Sequence, residues 1–473
     1  LRDKIWVASM FRPCLLALIF AVFTGRLAHA EDNRSLSDRA RQYLIDLVRL
    51  DTSNPPGNES RVAEYLKEVA DANGIPNELL GADPKRLNFV ARLKGTGRQR
   101  PLLLVAHSDV SPADKARWTA DPFAAELRNG FIYGRGTWDA KGILATELAV
   151  MVEIKRRNIR LSRDLILLAE SDGEENSSGI QWMIQHAWPK IDAEFGLNEG
   201  GFILESKDGT RLFQIQTAEK SGMRVVLTAR GNAATGAIPR EDNPIVRISR
   251  AVVKITDNDQ PVRLVPPVRR YLRELAKIQD FAWLAPLLPR LENPATASAA
   301  AAQIRAKAPE LDAILHSTFS PTIVRAGAKS NVIPNSAEAY VDVEKLVVET
   351  PQEILERIRQ EVNDPGIEVT VTAGQQTPAT EPSPTQTALY KAMERAIARA
   401  YPADVPVPFL GRTPTDSSFL RLRGMPVYGV PLFSRESGDQ RAHGNDERIA
   451  PKNVEDGAEL LWQIVVEVSS GNP

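Results

Sequence analysis

The sequence predicts an α/β protein. A largely parallel sheet with helices on both faces is interrupted by an inserted ferredoxin-like α+β unit. Three observations predict this. Apolar runs of strand length alternate with segments of helical periodicity in the first half of the chain and again at its end. In between, the pattern changes to half-exposed strands in the order β-α-β-β-α-β. The 473 residues also exceed what one compact core organises, so two domains are expected.

The elements follow in order. Leu36 to Leu50 reads as an amphipathic helix, stopped by Asp51-Thr52-Ser53-Asn54-Pro55-Pro56-Gly57. Arg61 to Ala72 is a second helix, closed by Asn73-Gly74. Asn88 to Leu93 and Pro101 to Ala106 read as buried strands. Ile143 to Arg157 has helical periodicity, with basic residues in its last turn where the helix dipole favours them. Asp164 to Ala169 is a strand and Gly179 to His186 a helix.

The second pattern then begins. Met223 to Arg230 is a strand and Asn243 to Ile255 a helix. Thr322 to Ala328 and Ala337 to Val343 are strands, Pro351 to Val362 a helix, and Ile367 to Thr372 the last strand. Asp257 to Ser320, rich in Ala, Leu and Pro, reads as a helical insertion. The first pattern resumes with a helix from Thr387 to Ala400, a strand from Pro426 to Leu432 and a helix from Val454 to Val468. The expected outer domain is therefore split into 31–218 and 375–473, around an inserted domain at 219–374.

Residues 1–30 read as a signal peptide. Arg2, Lys4 and Arg12 form its positive region, Cys14 to Thr24 its apolar stretch, and Ala28-His29-Ala30 its cleavage site. The apolar stretch is too short to span a bilayer. The mature chain is expected to start at Glu31, to carry no membrane span, and to be exported as a periplasmic or secreted protein. Cys14 is the sole cysteine, so the remainder has no disulfide or thiolate chemistry. A net charge of −1 gives no field that would favour nucleic acid or an anionic membrane as partner.

The chemistry lies in five segments. His107-Ser108-Asp109 ends an apolar run with a potential metal ligand and a carboxylate two residues on, able to face the same side. The others are Gly134-Arg135-Gly136-Thr137-Trp138-Asp139, Ser171-Asp172-Gly173-Glu174-Glu175, Leu197-Asn198-Glu199 and Arg441-Ala442-His443. His107, Glu174, Glu175 and Glu199 each follow a predicted strand, and ligands of parallel sheets gather at the carboxyl ends of strands. Two imidazoles and several carboxylates form a donor set for a pair of divalent ions such as zinc. Asp109 is placed to hold the second nitrogen of His107. Glu174 and Glu175 are adjacent and cannot easily both face one ion, so one is expected to ligate while the other moves a proton.

Singly, each residue has an ordinary explanation. Asp139 would be a helix cap, Glu174-Glu175 a solvated pair and Asn198-Glu199-Gly200-Gly201 a turn. His186 and His316 are assigned such ordinary roles, each in a helix without acidic company. Five segments at corresponding strand ends are harder to explain that way.

On these segments, and in their order, the chain resembles the aminoacylase/carboxypeptidase family of di-zinc amidohydrolases. The family includes aminoacylase, acetylornithine deacetylase, succinyl-diaminopimelate desuccinylase, glutamate carboxypeptidase and carboxypeptidase S. The resemblance implies two zinc ions, with cobalt or manganese as alternatives. It implies that His107 and Glu199 hold one ion, Glu175 and His443 the other, and that Asp139 bridges them. Glu174 would be the general base, and Asp109 would orient His107. The inserted unit would be a lid and a homodimerisation surface. Asn331, the Gly411–Asp416 loop and Arg441 would border a peptide or N-acyl amino-acid substrate.

Two positions depart from the family pattern. Thr235 stands where members commonly carry an oxyanion-binding His; loss of such a donor can lower turnover about a hundred- to a thousandfold. Glu344 stands where many carry an Arg that reads a substrate carboxylate; a carboxylate there would repel that group and prefer a cationic or neutral one, unless Arg412 or Arg441 takes over the task of the Arg. The expected function is hydrolysis of a peptide or N-acyl amino-acid bond. Two alternatives are a metal-stabilised binding protein without turnover and an aminopeptidase of related core, and the inserted lid argues against the second.

Overall fold

The computed structural model describes residues 34–435 and 441–470, without the side chains of 373–375. The expected signal peptide lies outside the described residues.

Four parallel strands occupy the centre, in the order Leu165–Glu170, Leu102–His107, Phe195–Asn198 and Val427–Gly429. The first two are buried along their whole length. The two-residue period sorts their side chains between two cores. Leu102, Leu104, Leu165 and Leu167 face one core, with residues of the helices Leu36–Val48, Lys141–Arg156, Ala388–Ala400 and Pro451–Ser469. Leu103, Val105, Ile166 and Leu168 face the other, with the helices Ser178–His186 and Ser417–Leu422. Helices on both faces are why these strands read as unbroken apolar runs.

Antiparallel pairing joins Asn88–Leu93 to one side of the parallel centre and Arg211–Glu219 to the other, and the whole sheet has ten strands. Asn88–Leu93 and Asn77–Leu80 extend one side. Arg211–Glu219, Phe202–Glu205, Ser434–Arg435 and Val405–Gly411 extend the other. Neither Arg211–Glu219 nor Val405–Gly411 is legible as a strand beforehand. The first buries Gln214, Gln216 and Thr217, which break the apolar signal. The second contains Pro406 and Pro408, tolerated in a strand whose registered partner is Arg211–Glu219 alone.

The middle of the chain forms a separate four-stranded antiparallel sheet, ordered Thr318–Ala326, Ser336–Lys345, Ser221–Arg230, Ile367–Gln376. Numbered within this unit, the order is 2-3-1-4, as in a ferredoxin-like fold. The helices Pro244–Asp257 and Pro351–Val362 cover one face, packing Ile248, Ile255, Ile354 and Ile358 on Val225, Leu227, Ala339 and Val341.

The helical insertion does not pack on that sheet. Its helices, from Pro266–Leu275 to Pro309–Asp312, bury Val268, Tyr271, Leu272 and Ile304 against Leu212, Val407, Phe409 and Leu410 of the large sheet. Phe409 meets Tyr271 edge-on at 5.2 Å and Phe202 at 5.4 Å.

His316 departs from its expected surroundings. It lies beyond the last short helix, is buried, and holds Asp312 Oδ2 with Nε2 at 3.0 Å. The helix Pro309–Asp312 places that acid four residues before the ring, and Arg305 shares it at 2.7 Å. His186 does end a helix, where it stacks on Trp182.

Phe409→Ala removes the ring that anchors the insertion and is expected to cost about 3–5 kcal/mol. A denaturant titration read by circular dichroism measures it.

Candidate metal centre

Parallel strands end on one rim, so residues following different strands meet there. His107 closes its strand, Glu199 follows Asn198, and Gly173-Glu174-Glu175 lie in the turn after Glu170. Asp139 lies in the turn before the helix Lys141–Arg156 and is joined to Ala140 by a cis peptide bond. It does not cap that helix: Ala140 holds the cap position, without a side-chain bond. The carboxylate is instead turned into the rim.

There Asp139 lies between two imidazoles. Oδ1 is 2.9 Å from His107 Nε2, and Oδ2 is 2.9 Å from His443 Nε2. Glu199 Oε2 lies 3.7 Å from His107 Nε2, and Glu174 Oε2 lies 3.2 Å from His443 Nε2. Donor atoms of His107, Asp139 and Glu174 fall within 4.8 Å of one another.

Each member is held from behind. His107 Nδ1 lies 3.1 Å from the Asp109 carbonyl and 3.2 Å from its carboxylate. A carbonyl only accepts, so Nδ1 carries a proton, and Nε2, turned toward Asp139, is the nitrogen that would face a metal. Asp109 accepts from Asn54 Nδ2 (2.8 Å) and from the backbone N–H of Gly173 (2.8 Å) and Glu174 (3.1 Å). Glu174 accepts from the Ser111 N–H and hydroxyl at 2.9 and 2.7 Å. The buried pair Arg135–Glu447 joins the Asp139 turn to the His443 loop. Arg135 Nη1 meets Glu447 at 2.6 Å, and Nη2 donates to the carbonyls of His443 and Gly444 at 3.1 and 3.0 Å. Glu447 in turn accepts from Trp138 N–H at 2.8 Å.

Gly173 is required by this packing. A Cβ there would lie 2.4 Å from His107 Cβ.

The electrostatics favour a cation. His107 is pushed well up: burial opposes its charge, but Glu199, Asp109 and Asp139 outweigh burial. His443 is pushed up to about 11 by its bonds to Asp139 and Glu174. Burial, then the charge of Asp139, pushes Glu199 up to about 7. Without a metal, protons occupy these donors. Two imidazoles, and carboxylates crowded enough to hold protons near neutrality, fit hard-to-borderline divalent ions.

The centre opens into a cavity of ≈ 990 Å³. Glu175 is exposed on its wall, outside the tight donor group. Exposed as it is, Glu175 still loses some water to the cavity wall, and that desolvation, then the charge of Asp172, pushes its carboxyl up. Gly411, Arg412 and Glu344 line the cavity. Asn331 and Thr235 do not; they lie together on the ribbon pairing Ala234–Thr235 with Val332–Ile333. Arg441 precedes His443, with its carbonyl taken by Gly444 N–H at 2.8 Å, and is not among the described residues lining the cavity. Ser111, Asn54 and Glu447 carry no advance signal, because each is recognised only by what it touches. Arg135 lies in the Gly134–Asp139 segment, but its sequence gives no hint of Glu447.

Residues 103–467 match the model of peptidase family M20/M25/M40. The chain belongs to this family. As a member it is a metallohydrolase acting on amide bonds. Human N-fatty-acyl-amino acid synthase/hydrolase PM20D1 is 26% identical over 451 residues, covering 92% of this chain and 88% of the human protein. The metallo-carboxypeptidase Sso-CP2 of Sulfolobus solfataricus, also an M20 protein, shares the fold at a TM-score of 0.70 and 20% identity, over 90% of this chain and 98% of that one. A dinuclear metal-binding M20 peptidase of Bacillus subtilis shares it at 0.56 and 15% identity, over 91% and 98%.

Two substitutions probe the geometry of this M20 centre. Gly173→Ala is expected to displace His107 and lower the metal content of purified protein. Glu447→Ala leaves Arg135 buried without its partner, at a cost of about 3–5 kcal/mol. Its melting temperature falls, and metal content falls with it as the His443 loop loosens.

Proposed function

We propose that the chain is an exported hydrolase of peptides or N-acyl amino acids that works at a pair of divalent ions. The observation that carries this reading is the single carboxylate of Asp139 shared between His107 and His443, 2.9 Å from each. His107 and Glu199 would hold one ion, Glu175 and His443 the other, with Asp139 between them. Zinc suits this donor set best; cobalt and manganese also suit it. Bound there, the ions would lower the pKa of water toward neutrality and polarise an amide carbonyl.

The remaining work falls to the chain. Glu174, held by Ser111, takes the proton of the attacking water and returns it to the leaving nitrogen as the C–N bond breaks. Asp109 keeps the ring of His107 in place. Trp138, Phe202, Phe409 and Phe433 give the cavity an aromatic wall suited to an apolar acyl or side-chain group. Arg412, also on the wall, suits a free carboxylate. The human relative's name, an N-fatty-acyl-amino acid synthase/hydrolase, supports the N-acyl amino-acid version.

Export rests on the sequence of residues 1–30. N-terminal sequencing of secreted protein should begin at Glu31. Self-association would use the edge strand Thr318–Ala326, where Ile323 and Val324 are exposed.

The test is a panel of dipeptides and N-acyl amino acids with the metal content measured alongside. Hydrolysis should stop on chelation and return with zinc. Glu174→Gln should keep its metal and lose about a hundred- to ten-thousandfold in kcat. Undiminished hydrolysis in that variant would sink the reading; metal-dependent binding without turnover would favour the binding-protein alternative.

Metal uptake should also release protons. His443 and Glu199, raised to about 11 and about 7, bear protons in the metal-free protein and none when ligating. The metal-bound state therefore holds fewer protons, and apparent affinity rises with pH between 6 and 8. Calorimetry in buffers of different ionisation enthalpy measures the release.

A further inference from the structure

Away from the metal centre, the cavity reaches the seam between the large sheet and the inserted sheet. Glu344 stands on its wall there. Its strand is paired on both sides, with Gly222 opposite Glu344 in one neighbour and Thr318 opposite it in the other. Gly222 leaves space beside the carboxylate. A methyl group there would lie 3.5 Å from Glu344 Oε1 and 3.4 Å from Pro414 of the Gly411–Asp416 loop.

Among the described residues this carboxylate has no partner of its own. Oε2 is buried without a hydrogen bond, and among the described residues no cation forms an ion pair with Glu344. Nearby cations have other contacts. Lys220 donates to Thr318 Oγ1 at 3.2 Å, and Arg224 lies 3.7 Å from Asp342. Burial, with Asp342 beside it, pushes the Glu344 carboxyl up to about 8. A half-buried acid on a cavity wall, lacking a partner, is a site that a ligand can complete.

We propose that Glu344 determines specificity by receiving an ammonium or guanidinium group of the substrate's amino-acid portion. The inference rests on the hydrolase reading above for the word substrate, and on the cavity geometry for the rest. Arg412, on the same wall, leaves the two charges of such a molecule, carboxylate and cation, each with a complement. A cation meeting this half-buried carboxyl in its ionised form gains a charge-assisted hydrogen bond that an uncharged side chain of equal length does not. A bond of this type discriminates by about ten- to a hundredfold.

The experiment compares N-acyl-lysine with N-acyl-norleucine, and N-acyl-arginine with N-acyl-citrulline, each pair sharing one acyl group. Hydrolysis is measured as the ratio of kcat/KM within each pair, in the wild-type protein and in Glu344→Gln and Glu344→Arg. The same four compounds are titrated calorimetrically into the metal-loaded Glu174→Gln protein, with and without Glu344→Gln. The expected wild-type preference for the cationic member is about tenfold or more. It falls to near unity in Glu344→Gln, and Glu344→Arg reverses it in favour of the uncharged member of each pair.

A merely structural role for Glu344 would lower the melting temperature and affect both members of a pair alike. Ratios unchanged by Glu344→Gln, in hydrolysis and in binding, overturn the inference while metal-dependent turnover keeps the hydrolase reading intact. Glu344-dependent binding selectivity without any turnover does the reverse. No selectivity in either assay overturns the inference outright.

Discussion

Asp139 is the constraint around which the site is built. One carboxylate meets two imidazoles that come from opposite ends of the sequence, each at 2.9 Å. Neither contact is local. His107 arrives on the central strand of a parallel sheet. His443 arrives on a late loop, fastened to the Asp139 turn by Arg135 and Glu447. The fold thus assembles the site by two routes: a sheet that delivers strand ends to one rim, and a buried ion pair that ties a distant loop to that rim.

The three-way architecture follows from the same economy of parts. The helical insertion belongs by chain order to the inserted unit, yet it packs on Val407, Phe409 and Leu410 of the large sheet. Pro309 and Glu310 of this insertion reach the cavity, as do Glu344 of the inserted sheet and Phe409 of the large one. A substrate there would touch all three parts. Shape and charge at the site therefore depend on packing contacts remote from the metal donors, with Phe409 serving both as cavity wall and as anchor for Tyr271.

Much of this was legible in the sequence, because fully buried parallel strands leave a strong signal. Leu102–His107 and Leu165–Glu170 are apolar runs bounded by breakers, and helix caps such as Thr350 and Thr387 sit where the pattern begins. What was hidden is polar and non-local. Arg211–Glu219 buries glutamines that mimic an exposed strand, and Val405–Gly411 carries two prolines. Taken singly, Asp139 reads as a helix cap because a carboxylate before a helix usually is one; the resemblance alone marks it as a bridge, and the fold shows it turned from the helix. His316 seemed without acidic company because Asp312, four residues away, is brought to it by a one-turn helix. Ser111, Asn54 and Glu447 are invisible for the same reason: their role lies entirely in their contacts.

Cys14 is the sole cysteine, so no disulfide within the chain fixes the site loops. Buried charge pairs take that place: Arg135–Glu447 at the rim and Arg421–Glu219, at 3.2 Å, beneath the Gly411–Asp416 loop. Such pairs contribute little net stability against apolar replacements of the same size, since desolvation offsets most of the attraction. Their value here is directional. A guanidinium donates along fixed lines, and Arg135 uses them to hold the carbonyls of His443 and Gly444. An apolar pair of equal volume would keep the loop packed but leave the orientation of His443 unspecified. Metal donors tolerate displacements of only a few tenths of an ångström. The charged pairs are thus better understood as orienting devices for the site than as supports for the fold.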